Sequence, residues 1–201
     1  MTIWGFVSDV HGNLPALERA LEHCRERGAT RFVCLGDSLG RGDSDACVRL
    51  VRRTATLSVV GNRDLDWAER VGADSRAYVM GLPRVAEASD FVAAHGDARL
   101  VPGLSSDDRR SGFRRSYRWL REREKRVLFF GHTHHARVWR KIAEETEPEL
   151  LSGARIHLPQ FEETVYLVNV GTTGLPFPGK GPASCAVYDD EQLWVEHLAL
   201  K

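Results

Sequence analysis

The sequence lacks the features that mark a membrane-spanning, exported or nucleic-acid-coating protein. No apolar run approaches the ~20 residues that a helix needs to cross a bilayer. Residues 1–7 contain no basic n-region, so we expect no signal peptide. The 28 basic residues balance 28 acidic ones, which argues against a general nucleic-acid or membrane-surface binder and leaves room only for a local basic patch.

Cysteine is scarce, and its spacing fits neither a zinc finger nor a redox motif. No two of the four cysteines form a C-x-x-C pair. Two of them, Cys34 and Cys185, lie in apolar runs that resemble strands. We therefore expect reduced, buried thiols and a cytoplasmic protein.

The length and the apolar content predict one domain. The chain has 201 residues, of which 42% are hydrophobic, enough for one sizeable core. No internal repeat, linker or low-complexity segment divides it, so we expect residues 1–201 to form a single domain.

Short apolar runs alternate with amphipathic helices in the first part of the chain. The pattern predicts strands over residues 2–7, 31–35 and 56–60, and helices over residues 14–27, 43–53 and 65–71. Asn13 is a favourable N-cap for the first helix, and Gly28 ends it. This alternation is typical of an α/β protein with a parallel sheet.

The second part is less regular. We predict a hairpin over 84–94 with a turn near Ser89, and an arginine-rich helix over 107–126 with aspartate caps. Strands follow at 127–130, 136–142 and 164–168, and a closing hairpin spans 184–200. The acidic stretch 144–149 is interpreted as a surface excursion, and the arginine-rich helix as a solvated face rather than a nucleic-acid surface.

Two histidines follow a buried strand in the stretch Val127–His135, V-L-F-F-G-H-T-H-H. His132 and His134 are two residues apart, so on extended backbone their side chains share a face and can aim at one point. Asp9 and His11 repeat this spacing after the first strand. Because neutral imidazole is the commonest protein metal ligand, these pairs can be interpreted as parts of a metal site. The plainer interpretation of His132 and His134 is a pair of surface histidines after a buried strand.

Six predicted strands end in polar side chains that can bind a metal ion. In an α/β sheet such residues meet at the carboxyl edge, so they are expected to converge. Seven ligands are too many for one tetrahedral ion, but they suit two ions that share a carboxylate, for which we choose Asp37. Asn169 ends the sixth strand. The seven candidates are Asp9, His11, Asp37, Asn62, His95, His132 and His134.

These blocks resemble the calcineurin-like metallophosphoesterases, of the small bacterial and archaeal phosphodiesterase type. The matching segments are D-V-H-G-N at 9–13, G-D at 36–37, G-N-R-D at 61–64, H-G at 95–96 and G-H-T-H at 131–134. The N-V-G-T segment at 169–172 resembles the family's Asn-Pro-Gly-Ser block with two departures, Val170 and Thr172. The resemblance implies a four-layer α/β/β/α sandwich, the metallo-dependent phosphatase-like fold.

The resemblance also implies a ligand division and a reaction. One ion would lie on Asp9, His11, Asp37 and His134, and the other on Asp37, Asn62, His95 and His132. A hydroxide between two divalent ions would attack phosphorus in line and hydrolyse a phosphodiester or phosphomonoester. The ligand types admit Mn, Fe, Zn, Co or Ni, with Mn favoured.

Arg63 stands where many family members carry a histidine. Because arginine stays protonated, it is a poor proton donor and a good phosphate clamp. We predict a catalytic role for it beside Asp37, Asn62 and His95. The substrate would be a small phosphate ester or a nucleotide. A protein phosphatase, a dinucleotide-polyphosphate hydrolase and a non-catalytic scaffold remain the alternatives.

Overall fold

The computed structural model describes residues 2–88, 90–96, 100–101 and 110–200. The strands are β1 Ile3–Val7, β2 Arg31–Cys34, β3 Leu57–Ser58, β4 Val85–Glu87, β5 Phe91–Ala94, β6 Val127–Phe130, β7 Arg137–Ile142, β8 Glu149–Leu151, β9 Arg155–His157, β10 Thr164–Asn169, β11 Ser184–Asp189 and β12 Trp194–Ala199. The α-helices are α1 Leu14–Glu26, α2 Ser44–Thr54, α3 Asn62–Trp67, α4 Ala73–Met80 and α5 Arg110–Arg121, with a 3₁₀ turn at Ala68–Arg70.

The strands form two six-stranded mixed sheets. The first has the order β3-β2-β1-β11-β12-β9, with β1, β2 and β3 parallel and the remaining pairs antiparallel. The second has the order β4-β5-β6-β10-β7-β8, with β5, β6 and β10 parallel. Each sheet therefore contains three neighbouring parallel strands, at one side of the first sheet and in the centre of the second, and the ends of these strands provide one polar edge.

An aromatic core lies between the two sheets. The rings of Phe6 on β1 and Phe129 on β6 stack with centroids 4.0 Å apart. Phe91 on β5 packs edge-on against Phe129, with centroids 5.3 Å apart. Such offset and edge-on pairs stabilise a core beyond the area they bury. Because alternate residues of a strand point to opposite faces, the neighbours of these aromatic residues face the outer layers.

Helices cover the outer faces of both sheets. Leu17, Leu21 and Cys24 of α1 pack against the first sheet in one apolar cluster. Phe113 and Leu120 of α5 belong to a second cluster against the second sheet. The predicted four-layer α/β/β/α arrangement is confirmed.

Helix α1 begins as its sequence predicts. The Asn13 side chain accepts a hydrogen bond from the Ala16 backbone N–H at 3.2 Å, and Pro15 lies in the first turn. Gly28 has φ +86° and ends the helix region, a conformation that costs glycine little. No helix in the described part of the chain is long and apolar enough to span a membrane.

Several predicted element boundaries were wrong, each for a local reason. The helix expected at 65–71 begins at Asn62, because Gly61 serves as its N-cap. Helix α4 was missed, since its buried residues, Ser75 and Val79, make no long apolar stripe. The acidic stretch 144–149 leads into the edge strand β8, and the short strand β9 was also missed.

The arginine-rich helix ends earlier than predicted. Helix α5 stops at Arg121, and a turn at 122–124 precedes β6. Its predicted start at Asp107 with aspartate caps, and the predicted turn at Ser89, lie outside the described residues. Arg114 and Arg118 form ion pairs with Glu145 and Glu144.

Candidate metal centre

Seven polar side chains converge where the parallel strands of both sheets end. Each lies within four residues of a strand end: Asp9 and His11 come after β1, Asp37 after β2, Asn62 after β3, His95 after β5, and His132 and His134 after β6. The carboxyl ends of parallel strands form the usual site edge of α/β sheets. All seven predicted ligand candidates are brought together there.

One group of side chains joins the β1 loop to the β6 loop. The Nε2 atoms of His11 and His134 are 3.3 Å apart. Asp9 Oδ1 lies 3.0 Å from His134 Nε2 and 3.8 Å from His11 Nε2. Three ligand atoms thus face a common point, and these residues form a group that could hold a metal ion.

A second group lies beside the first. Asn62 Oδ1 is 3.0 Å from both His95 Nε2 and His132 Nδ1. Asp37 Oδ2 lies 3.4 Å from His95 Nε2 and 4.0 Å from His11 Nε2, so it stands between the two groups. Asp37, His95 and Asp9 together form another set able to hold an ion.

In each of the two carboxylates, one oxygen is held by hydrogen bonds and the other faces imidazole nitrogens. Asp9 Oδ2 accepts hydrogen bonds from Ser8 Oγ at 2.7 Å and from the His132 backbone N–H at 2.9 Å. Asp9 Oδ1 is buried and has no directed hydrogen bond, although His134 Nε2 is close. Asp37 Oδ1 accepts from the Arg63 backbone N–H at 2.7 Å. An unpaired buried carboxylate oxygen is costly without a positive partner.

The imidazole tautomers point to a cation between these groups. His134 Nδ1 lies 2.6 Å from the Leu175 carbonyl oxygen and His95 Nδ1 lies 2.8 Å from the Leu35 carbonyl oxygen. A carbonyl only accepts, so each Nδ1 carries the proton and donates it. In the neutral rings Nε2 then presents a lone pair to a carboxylate or amide oxygen. Those lone pairs repel unless a proton or a metal ion lies between them, so the residues fit a metal site.

The electrostatics of the pair Asp9 and His95 indicate the same need for positive charge. Burial opposes ionisation of Asp9, but the His134 ring when protonated, 3.0 Å away, and the charge of His95 hold its pKa well below its usual range. Burial likewise opposes protonation of His95, but the neighbouring Asp37 carboxylate outweighs it and raises the pKa of His95 to about 10. The site therefore favours positive charge, which a divalent ion supplies when the imidazoles are neutral.

The backbone at five of the seven candidate ligands is left-handed, which is rare for residues other than glycine. Such conformations cost on the order of 1–3 kcal/mol each and persist where the surrounding structure fixes them, often at functional sites. The φ angles are +53° at Asp9, +51° at His11, +56° at Asp37, +65° at His132 and +59° at His134.

Hydrogen bonds between the strand-end loops hold this backbone. The backbone N–H groups of Asp9 and His11 donate to the carbonyl oxygens of Gly36 and Asp37, at 3.1 and 3.0 Å. The Thr172 hydroxyl donates to the Asp9 carbonyl oxygen at 3.0 Å. Hydrogen bonds within the protein therefore join the loops of the two sheets at the site.

Two residues that position the site were missed as such in the sequence. The buried Asp64 carboxylate accepts hydrogen bonds from the backbone N–H groups of Asp37 at 2.9 Å, Gly61 at 2.9 Å and Leu39 at 3.0 Å. Asn169 Nδ2 donates to the Gly131 carbonyl oxygen at 2.8 Å and to Thr133 Oγ1 at 2.9 Å. The acidic residue after G-N-R in the third block was the available signal for Asp64.

Arg63 contributes its backbone to the site and directs its side chain elsewhere. Its guanidinium Nη1 lies 3.9 Å from Asp66 Oδ2, and about half of the side chain is exposed. The catalytic role of its guanidinium therefore stays a prediction.

Comparison with known proteins agrees with the motifs. The model of the calcineurin-like phosphoesterase superfamily domain matches residues 1–192. A protein of Methanocaldococcus jannaschii is 28% identical over 94% of this chain and 84% of its own length. The phosphodiesterase YfcE of Escherichia coli is 51% identical over 41 residues, 20% of this chain and 22% of its own.

Solved structures share the fold. A metallophosphoesterase from Sphaerobacter thermophilus aligns over 100% of this chain and 89% of its own, with a TM-score of 0.81 and 24% identity. The E. coli YfcE structure aligns over 100% of both chains, with a TM-score of 0.52 and 20% identity. The resemblance inferred from the sequence motifs is confirmed, and the chain belongs to the calcineurin-like phosphoesterase superfamily.

Proposed function

We propose that the protein is a dinuclear-metal-dependent phosphoesterase that hydrolyses phosphodiesters and, with suitable leaving groups, phosphomonoesters. The observation that carries the proposal is the convergence of lone pairs on Asp9, Asp37, His95 and His134, which only positive charge can stabilise. Membership of a divalent-metal-dependent phosphoesterase family supports the same conclusion.

Two ions are assigned to the two groups of ligands. Asp9, His11, Asp37 and His134 would hold the first, and Asp37, Asn62, His95 and His132 would hold the second. The position of Asp37 Oδ2 between His95 and His11 supports Asp37 as the shared ligand. Divalent ions bound there would lower the pKa of a bound water, so that it is a nucleophile near neutral pH, and would neutralise charge on phosphoryl oxygens.

The protein's own residues fix the reacting geometry. The hydrogen bonds to Asp9 Oδ2 and Asp37 Oδ1 hold each carboxylate in one orientation, so little reorganisation is needed when substrate arrives. The Nδ1 bonds of His95 and His134 hold both rings in the tautomer that leaves Nε2 available. Attack on phosphorus is in line with the leaving oxygen, and Arg63 stabilises charge on the ester oxygens.

Further aspects of the proposal rest on the sequence. Mn is the favoured metal among Mn, Fe, Zn, Co and Ni, because the ligands are imidazoles and hard oxygens with no thiolate. A small phosphate ester or nucleotide is the proposed substrate. The four cysteines are free and buried, which supports a cytoplasmic location. We also propose a single domain over residues 1–201, since each sheet combines strands from distant parts of the chain.

Metal content and turnover test the proposal together. The purified protein should take up close to two Mn ions per chain and hydrolyse bis(p-nitrophenyl) phosphate. Removal of the metal with a chelator should abolish turnover, and added Mn should restore it. Metal-independent hydrolysis would contradict the mechanism, and two bound ions without turnover would favour a non-catalytic scaffold.

A further inference from the structure

A half-exposed aromatic ring lies against one of the candidate metal ligands. Phe177 stacks on the His134 ring with centroids 4.6 Å apart and an interplanar angle of 24°. Its side chain is 46% exposed, although exposure of a ring this large is unfavourable in water. No other ring contacts Phe177 among the described residues, so the exposed part of the side chain is available to a ligand.

The loop that carries this ring is tied to the metal centre. The Leu175 carbonyl oxygen accepts the Nδ1 hydrogen bond of His134 at 2.6 Å. Pro176 and Pro178 flank Phe177, and each fixes its own backbone φ near −65°. The Lys180 backbone N–H closes a turn on the Phe177 carbonyl oxygen at 3.0 Å. The ring is thus held in place rather than carried on a free tail.

A cleft opens beside the same loop. Its volume is about 530 Å³, within the range of small-molecule sites. His11 lines it together with Leu175, whose side chain is 40% exposed, and the exposed Arg41 and Asp43 add one cation and one anion to the lining. A ligand whose phosphoryl group lies at His11 and His134 therefore has apolar surface and charged groups of both signs within reach of its remaining parts.

We propose that Phe177 is a stacking platform for a planar aromatic group of the phosphate ester, such as the base of a nucleotide. The proposal rests on the phosphoesterase function above, because it places the phosphoryl group at the metal centre. A flat group can cover the exposed part of the ring, whereas an aliphatic ester leaves most of it in water. Stacking of a base on an aromatic side chain is also tolerant of base identity, so the platform selects for aromaticity rather than for one base.

Two phosphomonoesters that differ only by the base test the platform. Calorimetric titration of the Mn-loaded protein with AMP and with ribose 5-phosphate gives the contribution of the base, since phosphate and sugar are shared. We expect AMP to bind about 5- to 150-fold more tightly, the range expected for one base stacked on one aromatic ring. Phe177→Ala should bring the ratio close to one and leave the ribose 5-phosphate affinity as in the wild type, and Phe177→Trp should keep the preference.

Phe161→Ala is the matched control. Phe161 is also a highly exposed phenylalanine, but it precedes the amino end of β10, at the opposite end of the sheet from the metal centre. Its removal should change neither affinity.

Several results would overturn the platform. Equal affinities in the wild type would do so, as would an equal loss for both ligands in Phe177→Ala, which would make Phe177 a support for His134. A change in oligomeric state of Phe177→Ala with an unchanged ratio would identify the ring as a protein contact. Hydrolysis of bis(p-nitrophenyl) phosphate by the same preparation is scored separately. If hydrolysis persists but AMP shows no advantage over ribose 5-phosphate, the proposed function stands and only the stacking role of Phe177 is wrong.

Discussion

The buried carboxylate of Asp64 accepts a hydrogen bond from the backbone N–H of Asp37 at 2.9 Å, and so holds the residue proposed to bridge two metal ions. The same carboxylate binds the backbone of Gly61 and Leu39 and thereby joins the loops after β2 and β3. Burial and the nearby Asp37 charge raise the pKa of Asp64 to about 6, so its ionised form is retained at a cost. Hydrogen bonds from three backbone N–H groups to the carboxylate offset that cost.

Variants of Asp64 should show how much it contributes to stability and how much to metal binding. Asp64→Ala leaves three buried N–H groups without an acceptor, and we expect it to lower the free energy of unfolding by about 2–4 kcal/mol. Asp64→Asn keeps one carbonyl oxygen and should lose less. Urea denaturation measures the stability, and elemental analysis measures metal content. If Asp64→Ala folds and still binds two Mn ions with wild-type affinity, Asp64 does not position Asp37.

Asp37→Ala and Asn62→Ala should differ in how much metal and activity they lose. Asp37 faces both groups of ligands, so Asp37→Ala should lose most metal and all activity. Asn62 Oδ1 faces His95 and His132 of the second group, so Asn62→Ala should keep one ion and little activity. Metal content per chain is the measurement, with the exposed Asp74→Ala in α4 as control. Equal metal loss in the two variants would rule out Asp37 as the bridge.

The structure leaves no room for a methyl group at Gly61. A Cβ at Gly61 would lie 2.0 Å from Asp37 Oδ1 and 2.3 Å from the Asp37 backbone nitrogen, although its φ of −98° suits any residue. We therefore expect Gly61→Ala to displace Asp37, reduce metal binding and lower the melting temperature.

Gly72→Ala is the control for this substitution, because Gly72 also precedes a helix. Its φ is −60°, and the nearest atom to an added Cβ is Asp45 Oδ1 at 3.2 Å. Similar losses of metal in both glycine variants would mean that the effect arises from helix initiation and not from contact with Asp37.

Much of the site follows from the sequence, because polar residues after apolar parallel strands must meet at one edge. That argument finds Asp9, His11 and His132 without knowledge of their conformation. It cannot give their left-handed backbone, which depends on hydrogen bonds between loops distant in the chain. It also missed β8 and β9, because three-residue edge strands contain too little alternation to detect.

We expect the buried His197, which is not a candidate metal ligand, to make the protein less stable in acid. Burial lowers the pKa of His197 below its usual 6.5, against a hydrogen bond to the Asn169 carbonyl oxygen at 2.8 Å that acts in the other direction. The unfolded chain therefore takes up this proton first as the pH falls. The contribution to stability is complete above about pH 6.5 and is lost as the pH falls through the lower folded value.

The comparison of wild type with His197→Gln isolates this contribution. Glutamine retains an N–H donor but does not titrate, so the wild type should lose more stability than the variant between pH 7.5 and pH 5. Chemical denaturation of the metal-free proteins at each pH is the measurement. The exposed His157→Gln should follow the wild type. Parallel loss in wild type and His197→Gln would show that His197 does not contribute.

Arg63 is expected to act on the ester oxygens through a side chain that is not held firmly elsewhere. Its ion pair with Asp66 is 3.9 Å long and half exposed on both sides, and such pairs contribute ~1 kcal/mol or less. The guanidinium is therefore free to turn toward a bound ester. Removing an electrostatic donor of this kind commonly lowers kcat by about 10²–10³. We expect Arg63→Ala to lose rate on this scale and to keep both metal ions, since only the backbone of Arg63 binds Asp37.

The leaving-group dependence distinguishes charge stabilisation from proton donation by Arg63. Arginine cannot release a proton near neutral pH, so activity should fall steeply from aryl to alkyl phosphodiesters. Arg63→His should flatten this dependence, because histidine titrates near neutrality and can protonate a poor leaving group. Asp66→Ala, which frees the guanidinium, is the control and should keep the wild-type slope. The same slope in wild type, Arg63→Ala and Arg63→His would mean that Arg63 is a surface residue whose backbone alone serves the site.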